Sequence, residues 1–346
     1  MTKQTQRRST AATFVALSTL ILSAICSVSS QAADLTPASL RLKWLPQAQF
    51  IGYYVAKAKG WYADEGIDLT INPGGPNIIS ENMVASGVDT FGHGGGAASL
   101  LQAREKGLGI VGIGMLFQET PYRFVVLEKS GIKKFTDIKG KTVSTWFTGP
   151  QFMLQGMLQA NKIDVKDVKI EAQANSMVPF IEGKVDMAIV TVYNEALFLK
   201  RRGVTPSESF NPADMGFNIP NDSIFVNERV AKDNPKLVQG FMNATLKGWA
   251  FALSHQDEAI DILLKAAPNT DRNEQKDQLQ QLVPLITYGD AKQKGVGYLD
   301  EKQMEFTYKF LRENEVLKTA VDVKAAIDTS FWEKVPAANK VVAVLN

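Results

Sequence analysis

The sequence predicts an α/β fold made of two strand–helix units in succession, closed by a helical tail. Three observations predict it. Short buried apolar runs alternate with stretches of helical spacing through the first third of the chain. The same alternation restarts at "RFVVLEKSG" and runs to the strand near residue 225. From "NPKLVQGFMNATLKGWAF" onward the periodicity is helical.

Each element has its own signal. "SLRLKWL" is a strand pattern closed by Pro46, and "FIGYYVAKAKGWYADEG" has helical spacing with Gly60 and Gly66 as stops. "IDLTINPGG" alternates like a strand and ends in a glycine turn. "NIISENMVASG" reads as a helix, "VDTFGHGGG" as a buried strand running into glycines, and "AASLLQAREKG" as a helix. "LGIVGIGMLF" is a continuous apolar run, the mark of a strand covered on both faces. In the second unit "DIKGKTVSTWF", "VKIEAQ" and "VDMAIVTV" are strands, while "GPQFMLQGMLQANKI" (from about Pro150) and "SMVPFIEGK" are helices. "PSESFNPADMGFNIPND" is rich in Pro, Asn, Ser and Asp and reads as a loop before the returning strand "DSIFVNERV". Strands alternating with helices imply parallel neighbours.

Composition narrows the class. The 346 residues suffice for two domains, and 45% hydrophobic with 21% charged content is that of a soluble globular protein. A net charge of +2 offers nucleic acid no basic surface, so none is expected as a partner. The N-terminus carries Lys3, Arg7 and Arg8, then "AATFVALSTLILSAICSV", then small residues with Ser30 and Ala32 at the two cleavage-specificity positions. That is the pattern of an export signal peptide over residues 1–32, with a membrane anchor as the competing reading. Cys26 is the only cysteine. Ile25 before it does not fit a lipidation site, and a chain cleaved after residue 32 has no thiol for a disulfide, a nucleophile or a metal.

Few residues support catalysis. His255 reads as an exposed helix-end residue, and His93 either as a pocket residue or as a loop histidine with a backbone partner. No GxSxG elbow or HExxH motif is present. "GHGGGAAS", with Gly94 in it, opens a helix and offers either amide groups for a polar ligand or a tight turn; it lacks the Lys-Ser/Thr of a P-loop.

Aromatic residues are more informative. Trp44, Phe50, Tyr53 and Tyr54 follow the first strand, Trp146 and Phe147 follow a later one, and Tyr193 another. Open α/β sheets place ligands at the C-terminal ends of strands. Phe50, Tyr54 and Phe147 suit the core, whereas Trp44 and Tyr193 suit a pocket wall that stacks on a flat heterocycle or sugar. In "VYNEALFLKRRG", Glu195 is either a first-turn acid favoured by the helix dipole or a carboxylate waiting for an amine and an adjacent ring N–H, with Asn194 beside it.

"LKWLPQAQFIGYYVAKAKGWYADEGIDLTINPGG" resembles the opening of periplasmic solute-binding proteins of ABC importers, in their thiamine-pyrimidine-synthase-like branch. "KGKTVSTWFTGPQFMLQGML" and "GKVDMAIVTVYNEALFL" are similar to later blocks of that group, and the likeness spans roughly residues 38–260. The resemblance implies a type II periplasmic binding protein: two α/β lobes joined by two crossing strands, with ligand in the cleft between them. It implies crossings at "FVVLE" and "SIFVN", one lobe from 36–123 with 224–346, and the other from 124–223. It brings Trp44, Gln49 and the "GHGGG" turn from one lobe, and Gly149, Pro150 and Gln151 with Tyr193 and Glu195 from the other. It also implies that Glu195 meets an aminopyrimidine.

The expectation is therefore a monomeric, non-catalytic receptor without cofactor. It captures a planar heterocycle, a thiamine pyrimidine precursor, and delivers it to a membrane permease. Riboflavin and sulfonate- or nitrate-type solutes are the alternatives on the same scaffold. A pyrimidine synthase is a further one; the fungal enzymes of this group carry a cysteine-rich motif that this sequence lacks.

Overall fold

The computed structural model of the chain describes residues 35–147, 150–173 and 176–341. The expected signal peptide, residues 1–32, lies outside them, as does the candidate Gly149.

Two five-stranded sheets organise these residues. The first contains β1 (Thr36–Arg41), β2 (Ile67–Asn72), β3 (Phe91–His93) and β4 (Ile110–Phe117). The second contains β5 (Tyr122–Val126), β6 (Thr142–Thr145), β7 (Lys169–Ala172), β8 (Met187–Thr191) and β9 (Glu208–Phe210). β10 (Asn221–Asn227) returns to the first sheet. The orders are β2-β1-β3-β10-β4 and β7-β6-β8-β5-β9. β1 pairs in parallel with β2 and β3, and β6 with β7 and β8. β10 and β5 insert antiparallel, each between two strands of its sheet. This is the two-layer logic of helices covering sheets whose apolar strands are buried on both faces; all eight residues of β4 are buried.

The chain passes between the sheets twice, through residues 118–121 and 216–220. The two passages are tied to each other: Thr120 N donates to Asn218 Oδ1 at 2.9 Å, and Asn218 Nδ2 donates to Gln118 O at 3.3 Å. The stretch read as a loop contains β9 and a short turn, Pro212–Met215. β9 is three residues at a sheet edge, Phe210 facing Phe124 in register. An edge strand this short and polar leaves no alternation to read.

The helical tail reaches both sheets. The Arg272–Ile286 helix sends Gln275 and Gln278 to the turn at residues 47–49. The Glu301–Glu313 helix lays Phe310 on the Pro150–Ala160 helix, where Gly156 is required: a Cβ there would come within 2.2 Å of the Phe310 ring. Among the described residues, no helix is long and apolar enough to cross a membrane.

Candidate functional site

β6 and β8 end at one edge of the second sheet, antiparallel β5 begins there with Tyr122 opposite Thr191, and the segment that leaves β1 of the first sheet shares a cavity with them. Chain ends at such an edge carry loops free to face a ligand. A cavity of about 450 Å³, counting the space at its mouth, opens at this edge.

Its walls come from the segments that leave the strands. After β1 the chain supplies Lys43, Trp44, Gln47 and Gln49. Tyr122 opens β5, Trp146 follows β6, and Pro150 starts the next helix. Thr191 ends β8, and Tyr193, Asn194 and Glu195 form the turn into the Glu195–Arg201 helix. Trp44 and Trp146 meet edge to face, ring centroids 6.4 Å apart and planes at 65°. Trp146 also approaches Tyr122 at 6.4 Å.

Glu195 is held from its own strand end. Its Oε2 accepts from the Thr191 amide at 3.0 Å and from the Thr191 hydroxyl at 2.7 Å. Its Oε1 accepts from Asn194 Nδ2 at 3.0 Å. A carboxylate offers about four lone-pair positions, so an acceptor site remains for a ligand. Burial pushes the Glu195 pKa up, and the Thr191 and Asn194 hydrogen bonds pull against it.

Behind the wall lies a buried polar cluster centred on Asp222 of β10. Its carboxylate meets the Lys43 ammonium, accepts from Gln49 Nε2 at 2.7 Å and lies 3.0 Å from His93 Nε2. The other imidazole nitrogen, Nδ1, is 3.0 Å from the Tyr53 hydroxyl. A carboxylate only accepts, so the ring proton belongs on Nε2 and Tyr53 donates to Nδ1. Burial alone would raise the Asp222 pKa; Lys43 and His93 override it and hold the carboxyl below its ordinary value. Burial lowers the His93 pKa despite the nearby Asp222. Gln47 Nε2 donates to Gln49 Oε1 at 2.7 Å, and Gln278 Nε2 donates back to Gln47 Oε1 at 3.3 Å.

The structure thus brings Trp44, Gln49, Trp146, Pro150, Tyr193, Asn194 and Glu195 to the cavity. Tyr53 and His93 sit behind it, both fully buried, with Phe50 edge-on to the imidazole at 4.8 Å. Gln151 is buried one residue into its helix, on the side of a neighbouring surface groove. Gly94 lies in the glycine turn, whose amides are taken internally: Gly94 N by Ser223 O at 2.9 Å, Gly95 N by Glu81 Oε1 at 3.4 Å and Ala97 N by Pro220 O at 3.0 Å. That leaves these amides no anion to cradle, and Gly96, at φ +108° with a Cβ position 2.5 Å from Asn221 Cα, makes the turn possible. Phe147, expected in the core, is 53% exposed. β6 stops at Thr145, so the Trp–Phe pair turns one ring inward and the other out.

Lys43, Gln47, Tyr122, Thr191 and Asp222 were not singled out by sequence reasoning. Lys43 looks like the polar position of a strand, and Tyr122 like a residue beside Pro121. Position at a strand end was the one signal available for Lys43 and Thr191. Among the described residues no group of three or more His, Cys, Asp or Glu side chains is placed to hold a metal.

The chain has relatives among known proteins. The chain is 31% identical over 302 residues to the riboflavin-binding protein RibY of Chloroflexus aurantiacus, covering 85% of each chain. It is 26% identical to a 4-amino-5-hydroxymethyl-2-methylpyrimidine phosphate synthase of Legionella pneumophila, over 66% of this chain and 73% of that one. It is also 26% identical to the formylaminopyrimidine-binding protein of Halalkalibacterium halodurans, over 71% and 76%. The periplasmic aliphatic sulphonate binding protein SsuA of Escherichia coli superposes with a TM-score of 0.64 at 18% identity, covering 85% of this chain and 92% of that one. The fold is therefore that of the periplasmic binding proteins, two α/β lobes. The family model described as NMT1/THI5 like matches residues 47–259, and the chain belongs to that family.

Proposed function

We propose that this chain is a non-catalytic solute receptor that captures a small planar nitrogen heterocycle, an aminopyrimidine of the thiamine-precursor type, in the cavity between its lobes. The observation that carries the reading is the wall itself: Trp44, Trp146, Tyr122 and Tyr193 offer ring faces and edges, and Glu195 stands at the side with an acceptor position left. Aromatic planes hold a flat ring by area and stacking, and the carboxylate selects its amino edge.

Export through the signal peptide and delivery to a membrane permease complete the proposal, supported by the N-terminal pattern and by the periplasmic binding proteins that share the fold. Against a synthase stands the placement of His93: the imidazole is fully buried against Tyr53 and Asp222 and does not line the cavity. A second reading is riboflavin, favoured by the 31% identical relative named for that ligand. Its ring also presents an N–H edge and a broad stacking face.

Titration calorimetry of the purified chain decides between them. Saturable binding of an aminopyrimidine or of riboflavin, with a matching rise in melting temperature, is expected. Binding of neither, by a folded protein, would sink the reading.

A further inference from the structure

We propose that Asp222 makes the cavity selective for rings without an anionic arm, by keeping the Lys43 ammonium engaged. The inference rests on the heterocycle-receptor reading above and names the charge class of its ligand.

Lys43 is the only cation among the described residues that line the cavity. A lone ammonium on a pocket wall ordinarily invites a phosphate, sulfonate or carboxylate. Here it is already paired. Asp222 is fully buried, reaches Lys43 from β10 and is not among the residues that line the cavity. Gln49 Nε2 donates to its second oxygen at 2.7 Å, His93 Nε2 lies 3.0 Å from the same oxygen, and its backbone is in the left-handed region, φ +59°. An anion that drew Lys43 away would leave a buried carboxylate without its main counter-charge, a costly state.

The remaining charges point the same way. With Lys43 and Asp222 cancelling, Glu195 is the unmatched charge on the wall. An anionic arm would meet a wall of net negative charge and no free donor cation; an amino or ring N–H group meets an acceptor. The selected class is therefore the neutral or amine-bearing ring, and the phosphate ester of the same ring is excluded.

Two matched probe pairs test this: riboflavin against riboflavin 5′-phosphate, and 4-amino-5-hydroxymethyl-2-methylpyrimidine against its phosphate. For whichever ring the wild type binds, the ester is expected to bind about tenfold or more weakly, because like charges in a closed site repel. Asp222→Asn removes the clamp's charge while keeping an acceptor, and Asn tolerates the left-handed backbone. The ester-to-ring ratio should fall by roughly tenfold in that variant, and adding Lys43→Met to it should restore the discrimination. Lys43→Met alone is a second test: in a variant shown to be folded by its melting curve, the ratio of ester to ring affinity should stay that of the wild type, since an ammonium already engaged by Asp222 offers the ester nothing. A wild type that binds ester and ring equally, an unchanged ratio in a folded Asp222→Asn variant, or selective loss of ester binding in Lys43→Met would overturn the inference and leave the receptor reading standing. If neither ring binds, the receptor reading falls and the inference with it.

Discussion

Glu195 closes back on Thr191, taking both the amide N–H at 3.0 Å and the hydroxyl at 2.7 Å on a single carboxylate oxygen. The strand end therefore orients the acid at the first turn of the next helix, before any ligand arrives. A carboxylate fixed in this way loses little freedom on binding, which is the condition for a strong, directional contact.

Glu195→Gln tests that contact. The amide keeps the shape and an acceptor oxygen but loses the charge. Affinity for an amine-bearing ring is expected to drop by about 2–5 kcal/mol, as when one partner of a buried charge pair is removed. Fold stability should fall by about 1–3 kcal/mol at most, since the amide nitrogen cannot accept the bond that one carboxylate oxygen takes from Thr191 or Asn194. Calorimetry and a melting curve read the two effects separately; unchanged affinity would remove Glu195 from the site.

The pH dependence follows from two buried acids shifted in opposite directions. Burial raises the Glu195 pKa, so its carboxylate protonates sooner as pH falls, and ring affinity should weaken at a higher pH than an ordinary glutamate would dictate. Its contribution to stability has the opposite sense: fully present below the unfolded value, and lost as pH rises through the folded one. Asp222 is held low, against its own burial, by Lys43 and His93. Its stabilisation is present above the ordinary aspartate value and is lost as pH falls through the lowered one. Affinity should therefore fail on acidification before the fold does. The Glu195→Gln variant should lack the affinity transition and retain the unfolding one.

Much of this was legible in the sequence because it is local. Apolar alternation locates the strands, and the rule that ligands sit at their C-terminal ends leads from "LKWLP" to Trp44 and from "VTVYNE" to Glu195. What was not legible depends on distant contacts. Asp222 looks like the first residue of an ordinary returning strand, yet its partner Lys43 lies 179 residues earlier. Tyr53 lies in the helix after β1 and His93 ends β3, and only the packed structure shows that they meet each other and do not line the cavity. Side-chain direction after a strand end depends on where the strand stops, as Trp146 and Phe147 show.

Tyr53→Phe separates a core role from a site role. The hydroxyl is the partner of His93 Nδ1 in a fully buried setting. Its removal strands that nitrogen, at a cost of about 1–3 kcal/mol in stability. Little change in ring affinity is expected, since the phenol does not line the cavity. A large loss of affinity with an unchanged melting temperature would bring Tyr53 into the site instead.

The Trp44–Trp146 pair sets the last expectation. A flat ring held between two indoles needs their planes near parallel, but here they stand at 65° with centroids 6.4 Å apart. Ligand entry must therefore turn at least one indole, and Trp146, borne on the segment after β6, belongs to the second sheet's lobe while Trp44 follows β1 in the first. Binding should change the tryptophan fluorescence, and the change should shrink in Trp146→Phe. Trp61, Trp249 and Trp332 do not line the cavity and supply a constant background. Trp146→Ala should cost about 1–3 kcal/mol of ring affinity, the measured scale of a heterocyclic base on an aromatic side chain. A ring that binds Trp146→Ala as tightly as the wild type, with the full fluorescence change, would show that the indole is not a stacking plate.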